Sequence, residues 1–178
     1  MPKRTEIRIA GLGGQGVVMA GHIIGKASVY DGLQVVQTQS YGAEARGSAA
    51  KSEVIISDEK NGFPAVRKSD ILIAMSQTAL EKHLRDLKES GVLIVDADLP
   101  KQALSVKAQV FRVTATKTAE TELTSKMYAN MVMLGALTKI TRIVTRNSLE
   151  KAIKDTFSAE AAEKNVTAFR AGLRLTDL

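Results

Sequence analysis

An α/β fold built on a doubly wound, largely parallel sheet is what the sequence predicts, and three observations carry that reading. Short apolar runs alternate with longer segments of helical periodicity through the first two thirds of the chain. The residues Gly11-Leu12-Gly13-Gly14-Gln15-Gly16 join the first such run, Ile7-Arg8-Ile9-Ala10, to the first helical segment. No Pro- or Ser-rich linker, internal repeat or low-complexity tract divides the 178 residues, and 44% apolar content suffices for a single domain, 1–178, that buries roughly 70% of its unfolded surface. Strand, glycine turn and helix in that order make the layout Rossmann-like.

The elements follow in order. Residues 6–10 form a strand, 15–30 a helix and 33–37 a second strand; 38–49, with neither helical nor strand periodicity, form a loop. Residues 51–57 arrive as a strand with no helix before them, so this strand is expected to be antiparallel or at an edge. An irregular stretch runs through Pro64. Strand 70–75, helix 77–89, strand 92–96, a turn at Pro100 and strand 109–113 complete the alternation. Helices near 120–142, 148–157 and 159–172 make a helical C-terminal third packed on the sheet. Ser76 or Thr78 starts helix 77–89 by accepting a free backbone N–H, with Glu81 three residues after Thr78 as in a capping box. Its face of Glu81, Lys82, Arg85, Asp86, Lys88 and Glu89 reads as solvated.

The glycine turn is the strongest functional signal. Three glycines at this spacing let the backbone turn sharply and bring its N–H groups against an anion at the positive end of the following helix. The alternative is a tight turn that binds nothing. A dinucleotide enzyme would also carry an acid at the end of the second strand to grip a ribose. Here Leu33-Gln34-Val35-Val36 runs into Gln37, Thr38, Gln39 and Ser40, and Asp31 precedes the strand, so an NAD or FAD enzyme is disfavoured. The loop that follows places Glu44 and Arg46 between glycines at the same sheet end as the turn, suited to polar recognition, to docking, or to nothing beyond a surface ion pair.

Other chemistries are thin. His22 and His83 sit in separate predicted helices with no cysteine near, which argues against zinc, and no histidine is tied by sequence to Ser40 or Ser76 as a nucleophile's base. Asp96 and Asp98 leave the sheet where ligands gather, yet two carboxylates make a poor metal site and turn formation before Pro100 is the stronger reading. Met127, Met131, Met133, Leu134 and Leu137 give helix 127–142 a wide apolar stripe, read as core with a docking patch as the alternative. The net charge of +6 raises nucleic acid as a partner, but the basic residues are scattered and aromatics are 4% of the chain, so neither nucleic acid nor a membrane is expected. No export signal or run of about 20 apolar residues is evident, which makes the cytoplasm the expected location.

Several ordered motifs together are more specific than the turn. Gly11-Leu12-Gly13-Gly14-Gln15-Gly16-Val17-Val18-Met19-Ala20-Gly21, then Ser40-Tyr41-Gly42-Ala43-Glu44-Ala45-Arg46-Gly47 and Ser52-Glu53-Val54-Ile55-Ile56-Ser57-Asp58, resemble the gamma subunit of 2-oxoacid:ferredoxin oxidoreductases. The likeness continues through Pro64-Ala65-Val66, Asp70 to Ser76, Asn130 to Gly135 and Asn165 to Gly172, nearly the whole chain. The loop wording is similar to the 2-oxoglutarate branch and to some branched-chain (2-ketoisovalerate) enzymes; Ser48 stands where the family usually has a second glycine.

That resemblance implies one subunit of 2-oxoglutarate synthase, not catalytic alone, in a hetero-oligomer with alpha, beta and ferredoxin-like delta subunits. In the implied reaction thiamine diphosphate attacks the 2-oxo carbon, CO2 leaves, electrons pass through iron–sulfur clusters to ferredoxin, and coenzyme A takes the succinyl group. Thiamine diphosphate and the clusters belong to partner subunits; a chain without cysteine has no thiolates to hold a cluster. For this chain the implied contacts are Gly11, Gly13, Gly14, Gln15 and Gly16, presenting backbone donors to coenzyme A phosphates or to a partner's carboxylates. Ser40, Tyr41, Glu44 and Arg46 would close over that site or lock the subunit interface. A free-standing nucleotide- or coenzyme A-binding module and a purely architectural subunit stand as alternatives.

Overall fold

The computed structural model describes residues 4–42, 48–59, 64–99 and 106–175. In order come β1 (Arg4–Leu12), α1 (Val17–Tyr30), β2 (Gln34–Tyr41), β3 (Ala49–Ser57), β4 (Ser69–Ala74), α2 (Gln77–His83), β5 (Leu87–Asp96), β6 (Gln109–Val113), α3 (Ala115–Leu123), α4 (Ala129–Thr141), α5 (Arg146–Lys154) and α6 (Ala159–Arg174). The α/β reading holds. The sheet has six strands in the order β2-β3-β1-β4-β5-β6, with β1, β4, β5 and β6 mutually parallel. β3 is antiparallel to both neighbours, and it is interior, inserted between β2 and β1.

Alternation along the strands sorts their side chains between two cores. Ile7, Ile9, Val54, Ile56, Ile71, Ile73 and Ile94 face α1 and the C-terminal helices in the larger one. Leu72, Ala74, Leu93 and Val95 face the other way and pack on Leu80 of α2 with Leu87. Helices thus cover both faces, and the C-terminal helices all join α1 on one of them.

Local chemistry moves several boundaries. The stretch 38–41, expected as loop, continues β2 because Thr38, Gln39, Ser40 and Tyr41 pair with Glu53, Ser52, Lys51 and Ala50. The helix expected to reach residue 89 stops at His83; a 3-10 turn, Leu84–Asp86, follows, and Leu87 already begins β5. A register shift between the Ser69–Leu87 and Ile71–Val92 pairs absorbs the extra residues. Gly91 lies inside that irregularity, where a Cβ would come within 2.8 Å of the Asp70 carbonyl oxygen. At the start of α2, Ser76 is the cap, its Oγ accepting from the Ala79 amide at 3.2 Å, while Glu81 accepts from Gln77 Nε2 rather than completing a box with Thr78. The helix expected near 120–142 is broken at Thr124, left-handed at φ 59°, and restarts through the 3-10 turn Lys126–Tyr128.

Helix α4 is buried on every side from Ala129 to Thr138. Met131, Met133, Leu134 and Leu137 are all within 1% of full burial, so the stripe is core, and Met127, 66% exposed, is its one member on the surface. Helix α6 crosses α4 backbone to backbone: a Cβ on Gly135 would stand 2.1 Å from the Phe169 carbonyl oxygen, and one on Gly172 1.9 Å from that of Val132. Asp31 serves neither ribose nor sheet. Its carboxylate accepts from the Thr145 amide and hydroxyl, both at 2.7 Å, and from Ser148 Oγ, tying the end of α1 to the start of α5. Among the described residues no helix is long and apolar enough to cross a membrane.

Candidate functional site

The glycine turn stands at the carboxyl ends of the parallel strands, where open α/β sheets bind ligands. Gly11 and Leu12 finish β1, and Gly14 (φ 94°) and Gly16 (φ 68°) take the left-handed conformation. Gln15 closes the turn from within. Its Oε1 accepts the Leu12 amide at 2.7 Å and its Nε2 donates to the Met75 carbonyl at 2.8 Å, bracing β1 against the end of β4. Gly11 is small for that reason, since a Cβ there would sit 2.5 Å from Gln15 Oε1. Asn130 of α4 donates to the Gly16 carbonyl at 3.2 Å and occupies the space a Gly16 side chain would need. The Gly13 amide donates to the Ser48 carbonyl at 2.7 Å, fastening the turn to the segment that enters β3.

The predicted donors therefore divide into two groups. The Gly13 amide goes to the Ser48 carbonyl and the Gln15 amide to the Leu12 carbonyl at 3.1 Å, so these two predicted backbone donors are committed within the protein. The amides of Gly14 and Gly16, and that of Val17, which the sequence reading did not single out, meet no acceptor among the described residues. They stand at the positive end of α1, and no side chain of Gly14 intrudes.

Two clefts flank this turn. The first, about 390 Å³, takes in Gly14, Gln15 and Met75 with Asp98, Lys126 and Met127. Asp96 lies in its wall, 2% exposed, with its carboxylate consumed: Oδ1 accepts the Asp98 amide at 3.2 Å, and Oδ2 accepts the amide and hydroxyl of Thr116 at 3.0 and 2.6 Å. It thus shapes the turn and caps α3 across space. No group of three metal-ligating side chains occurs among the described residues.

The second cleft, about 230 Å³, lies on the α2 side and joins Gly11, Ser40, Tyr41 and Gly42 to Lys51 of β3 and to Thr78, Lys82 and His83 of α2. The predicted site residues thus fall on both sides of one turn, Gly14 and Gln15 in the first cleft and Gly11, Ser40 and Tyr41 in the second. Glu44 and Arg46 lie outside the described residues. Ser40 and His83 line the same cleft, but among the described residues no hydrogen bond joins them into a nucleophile and base. A larger cleft of about 630 Å³ between α5 and α6, lined by Ala162, Val166 and Arg170, holds none of these groups.

Beside the second cleft is a buried ion network that the sequence reading missed. Arg8, 3% exposed, donates to Glu53 Oε1 at 2.8 Å, to Asp86 Oδ2 at 2.8 Å and to the Val66 carbonyl at 3.0 Å. Lys51 reaches the same Glu53 oxygen at 3.1 Å. The signal was present as a lone charge inside an apolar strand on each side, Arg8 in Ile7-Arg8-Ile9 and Glu53 before Val54-Ile55-Ile56. Burial, then the nearby charges of Arg8, Lys51 and Lys82, push the His83 imidazole down to about 4, so it is neutral at physiological pH.

The sequence model of the pyruvate ferredoxin/flavodoxin oxidoreductase family matches residues 6–175. The chain belongs to that family. Among its curated relatives is the 2-oxoglutarate synthase subunit KorC of Methanothermobacter thermautotrophicus strain Delta H, 51% identical over 97% of this chain and 95% of the relative. Family members of known structure share the fold. The keto/oxoacid ferredoxin oxidoreductase gamma subunit of Geobacter sulfurreducens PCA is 42% identical, with a TM-score of 0.84 over 96% of each chain. The 2-oxoglutarate:ferredoxin oxidoreductase of Magnetococcus marinus, solved with 2-oxoglutarate, coenzyme A and succinyl-CoA bound, superposes with a TM-score of 0.89 at 28% identity; it covers 98% of this chain and 31% of the longer one.

Proposed function

We infer that this chain is the gamma subunit of a 2-oxoglutarate:ferredoxin oxidoreductase, in which 2-oxoglutarate and coenzyme A become succinyl-CoA and CO2 while ferredoxin is reduced. It works as one subunit of a multi-subunit enzyme. The 51% identity to a 2-oxoglutarate synthase subunit over nearly the full length of both chains supports the assignment. Alpha, beta and ferredoxin-like delta subunits are its partners in this reading, ferredoxin is the acceptor, and the assembly works in the cytoplasm. Iron–sulfur clusters do not fit this chain, which has no cysteine, and they and thiamine diphosphate are assigned to the partners.

The part assigned to this subunit is recognition of coenzyme A. One observation carries it: the amides of Gly14, Gly16 and Val17, which meet no acceptor among the described residues, stand at the positive end of α1 beside the cleft that Gly14 and Gln15 help to line. Backbone donors held by Gln15 and Asn130 are fixed before an anion arrives, so a phosphate binds without reorganising the turn. Gly11, Gly13 and Gln15 shape the turn, and Ser40 and Tyr41, with Glu44 and Arg46 of the adjoining segment, cover it or hold the neighbouring subunit. The test follows backbone amides of the full chain by NMR as coenzyme A is added. Gly14, Gly16 and Val17 should move together, with pantetheine, which lacks the phosphates, leaving them still. Unmoved turn amides alongside proven coenzyme A binding would place the ligand elsewhere. In the assembled enzyme, Arg46→Ala should weaken coenzyme A use with assembly intact; lost assembly instead would make that segment an interface element.

A further inference from the structure

The second cleft has a charge balance that the coenzyme A reading leaves unused. Around His83 stand Arg8 on β1, Lys51 and Glu53 on β3, Lys82 on α2 itself and Asp86 in the following 3-10 turn. Among the described residues three cations thus face two carboxylates. Glu53 is shared between Arg8 and Lys51, Asp86 is taken by Arg8, and among the described residues no carboxylate pairs with Lys82. Ser40 and Thr78 add hydroxyls to the lining, and Gly11, Gly42, Ala49 and Ala50 keep its floor open. At about 230 Å³ the space falls below the range that takes whole drug-sized ligands and suits one small tetrahedral anion with its ester arm.

We propose that this cleft seats a phosphate group and that His83 takes up a proton from solvent when it does. A monoanion such as a carboxylate would be balanced by the single surplus positive charge. A phosphate at neutral pH carries about 1.5–2 negative charges, more than the one surplus cation balances, and the dianion leaves one charge uncompensated. His83 is the one neutral base among the groups lining the cleft; burial is the first cause of its neutrality, and an anion beside it opposes both that and the repulsion from Arg8, Lys51 and Lys82 by favouring the charged imidazolium. This seat is separate from the free amides of the glycine turn and does not require coenzyme A as the phosphate's source; inorganic phosphate and the phosphates of coenzyme A offer the same chemistry.

The chain has only two histidines, so the imidazole signals of the full chain report the event directly, with exposed His22 as an internal reference. Inorganic phosphate at millimolar concentration should raise the His83 titration midpoint by about 3 units, from about 4 to near neutrality, leave His22 in place, and be matched neither by acetate nor in Lys82→Ala. An unmoved His83, an equal response to acetate, or an undiminished shift in Lys82→Ala would each overturn the proposal. If coenzyme A moves His83 as phosphate does while pantetheine does not, the proposal stands with the cofactor as source. If inorganic phosphate alone moves it, the proposal stands with free phosphate as source. If coenzyme A shifts the Gly14 amide while neither phosphate nor coenzyme A moves His83, the proposal falls and the coenzyme A reading survives.

Discussion

Gly16→Ala probes how the turn is held. Two costs add. At φ 68° an alanine occupies the left-handed region at about 1–2 kcal/mol. Its Cβ would also lie 2.2 Å from Asn130 Nδ2, so the amide must swing away and lose its 3.2 Å bond to the Gly16 carbonyl. Asn130 is 5% exposed, and leaving such a group unsatisfied costs about 1–3 kcal/mol. The sum is about 2–5 kcal/mol, or roughly 4–20 °C in melting temperature for a chain of this size. Urea denaturation of the single variants and of Gly16→Ala with Asn130→Ala forms a double-mutant cycle. In the Asn130→Ala background the glycine substitution should cost only the backbone part, about 1–2 kcal/mol. Equal cost in both backgrounds would show that Asn130 does not clamp the turn, and a cost below about 0.5 kcal/mol in the parent would refute the whole account.

Three further outcomes follow from the packing and the charges. Gly135→Ala should separate α4 from α6, because the clash is with the Phe169 backbone rather than a movable side chain; the loss should exceed about 3 kcal/mol, read as insoluble expression or a collapsed melting transition. Glu53→Gln leaves Arg8 buried with only the half-exposed Asp86 as its anion and should cost about 3–5 kcal/mol in denaturant, whereas replacing Arg8 and Glu53 together by methionine should cost much less. The hydrogen bond from Arg170, aided by that from Arg146, holds the Glu150 carboxyl down to about 2. A depressed carboxyl binds fewer protons folded than unfolded, so its contribution is complete above about pH 4.5 and fades as pH falls towards 2. Both arginines are about half exposed, which limits it to about 1–2 kcal/mol, and Glu150→Gln should flatten the acid limb of a stability-against-pH curve in that window.

What the sequence made legible was local. The glycine turn, the helix after it and the strand alternation follow from residue spacing alone; for 51–57 the lack of a crossover helix left an antiparallel or an edge strand open, and the strand is antiparallel and interior. Strand order is not local, and nothing in residues 49–57 says that they pair on both edges. The end of α2 was misread because Lys88 and Glu89 continue its charged face, while the deciding feature, the irregular β4–β5 register around Gly91, depends on a distant strand. The methionine stripe of α4 allowed core or interface; α6 decided it, through Gly135 and Gly172, 37 residues apart, which only the packed structure brings together. In the site, Gly14 and Gly16 were readable from their spacing. The diversion of the Gly13 amide to Ser48 and the internal use of Gln15 were not, since both partners come from other elements.

The insertion of β3 also explains the missing acid after the second strand. In a dinucleotide fold the second strand lies directly beside the first, so a carboxylate at its end reaches the ribose of a ligand whose pyrophosphate sits on the glycine turn. Here β3 occupies that place and moves the end of β2 one further strand spacing away, about 4.8 Å. An acid at Gln39 or Ser40 would face Ser52 and Lys51 instead of the turn. The space between is filled in addition by the segment entering β3, since the Ser48 carbonyl sits 2.7 Å from the Gly13 amide. The same rearrangement that removes a ribose grip delivers Ser40 and Tyr41 to the cleft shared with Lys51 and His83. A strand order that looks like a minor departure from the doubly wound pattern thus leaves the glycine turn in place and sets beside it, where a dinucleotide fold would have its second strand, a strand that carries Lys51 into the neighbouring cleft.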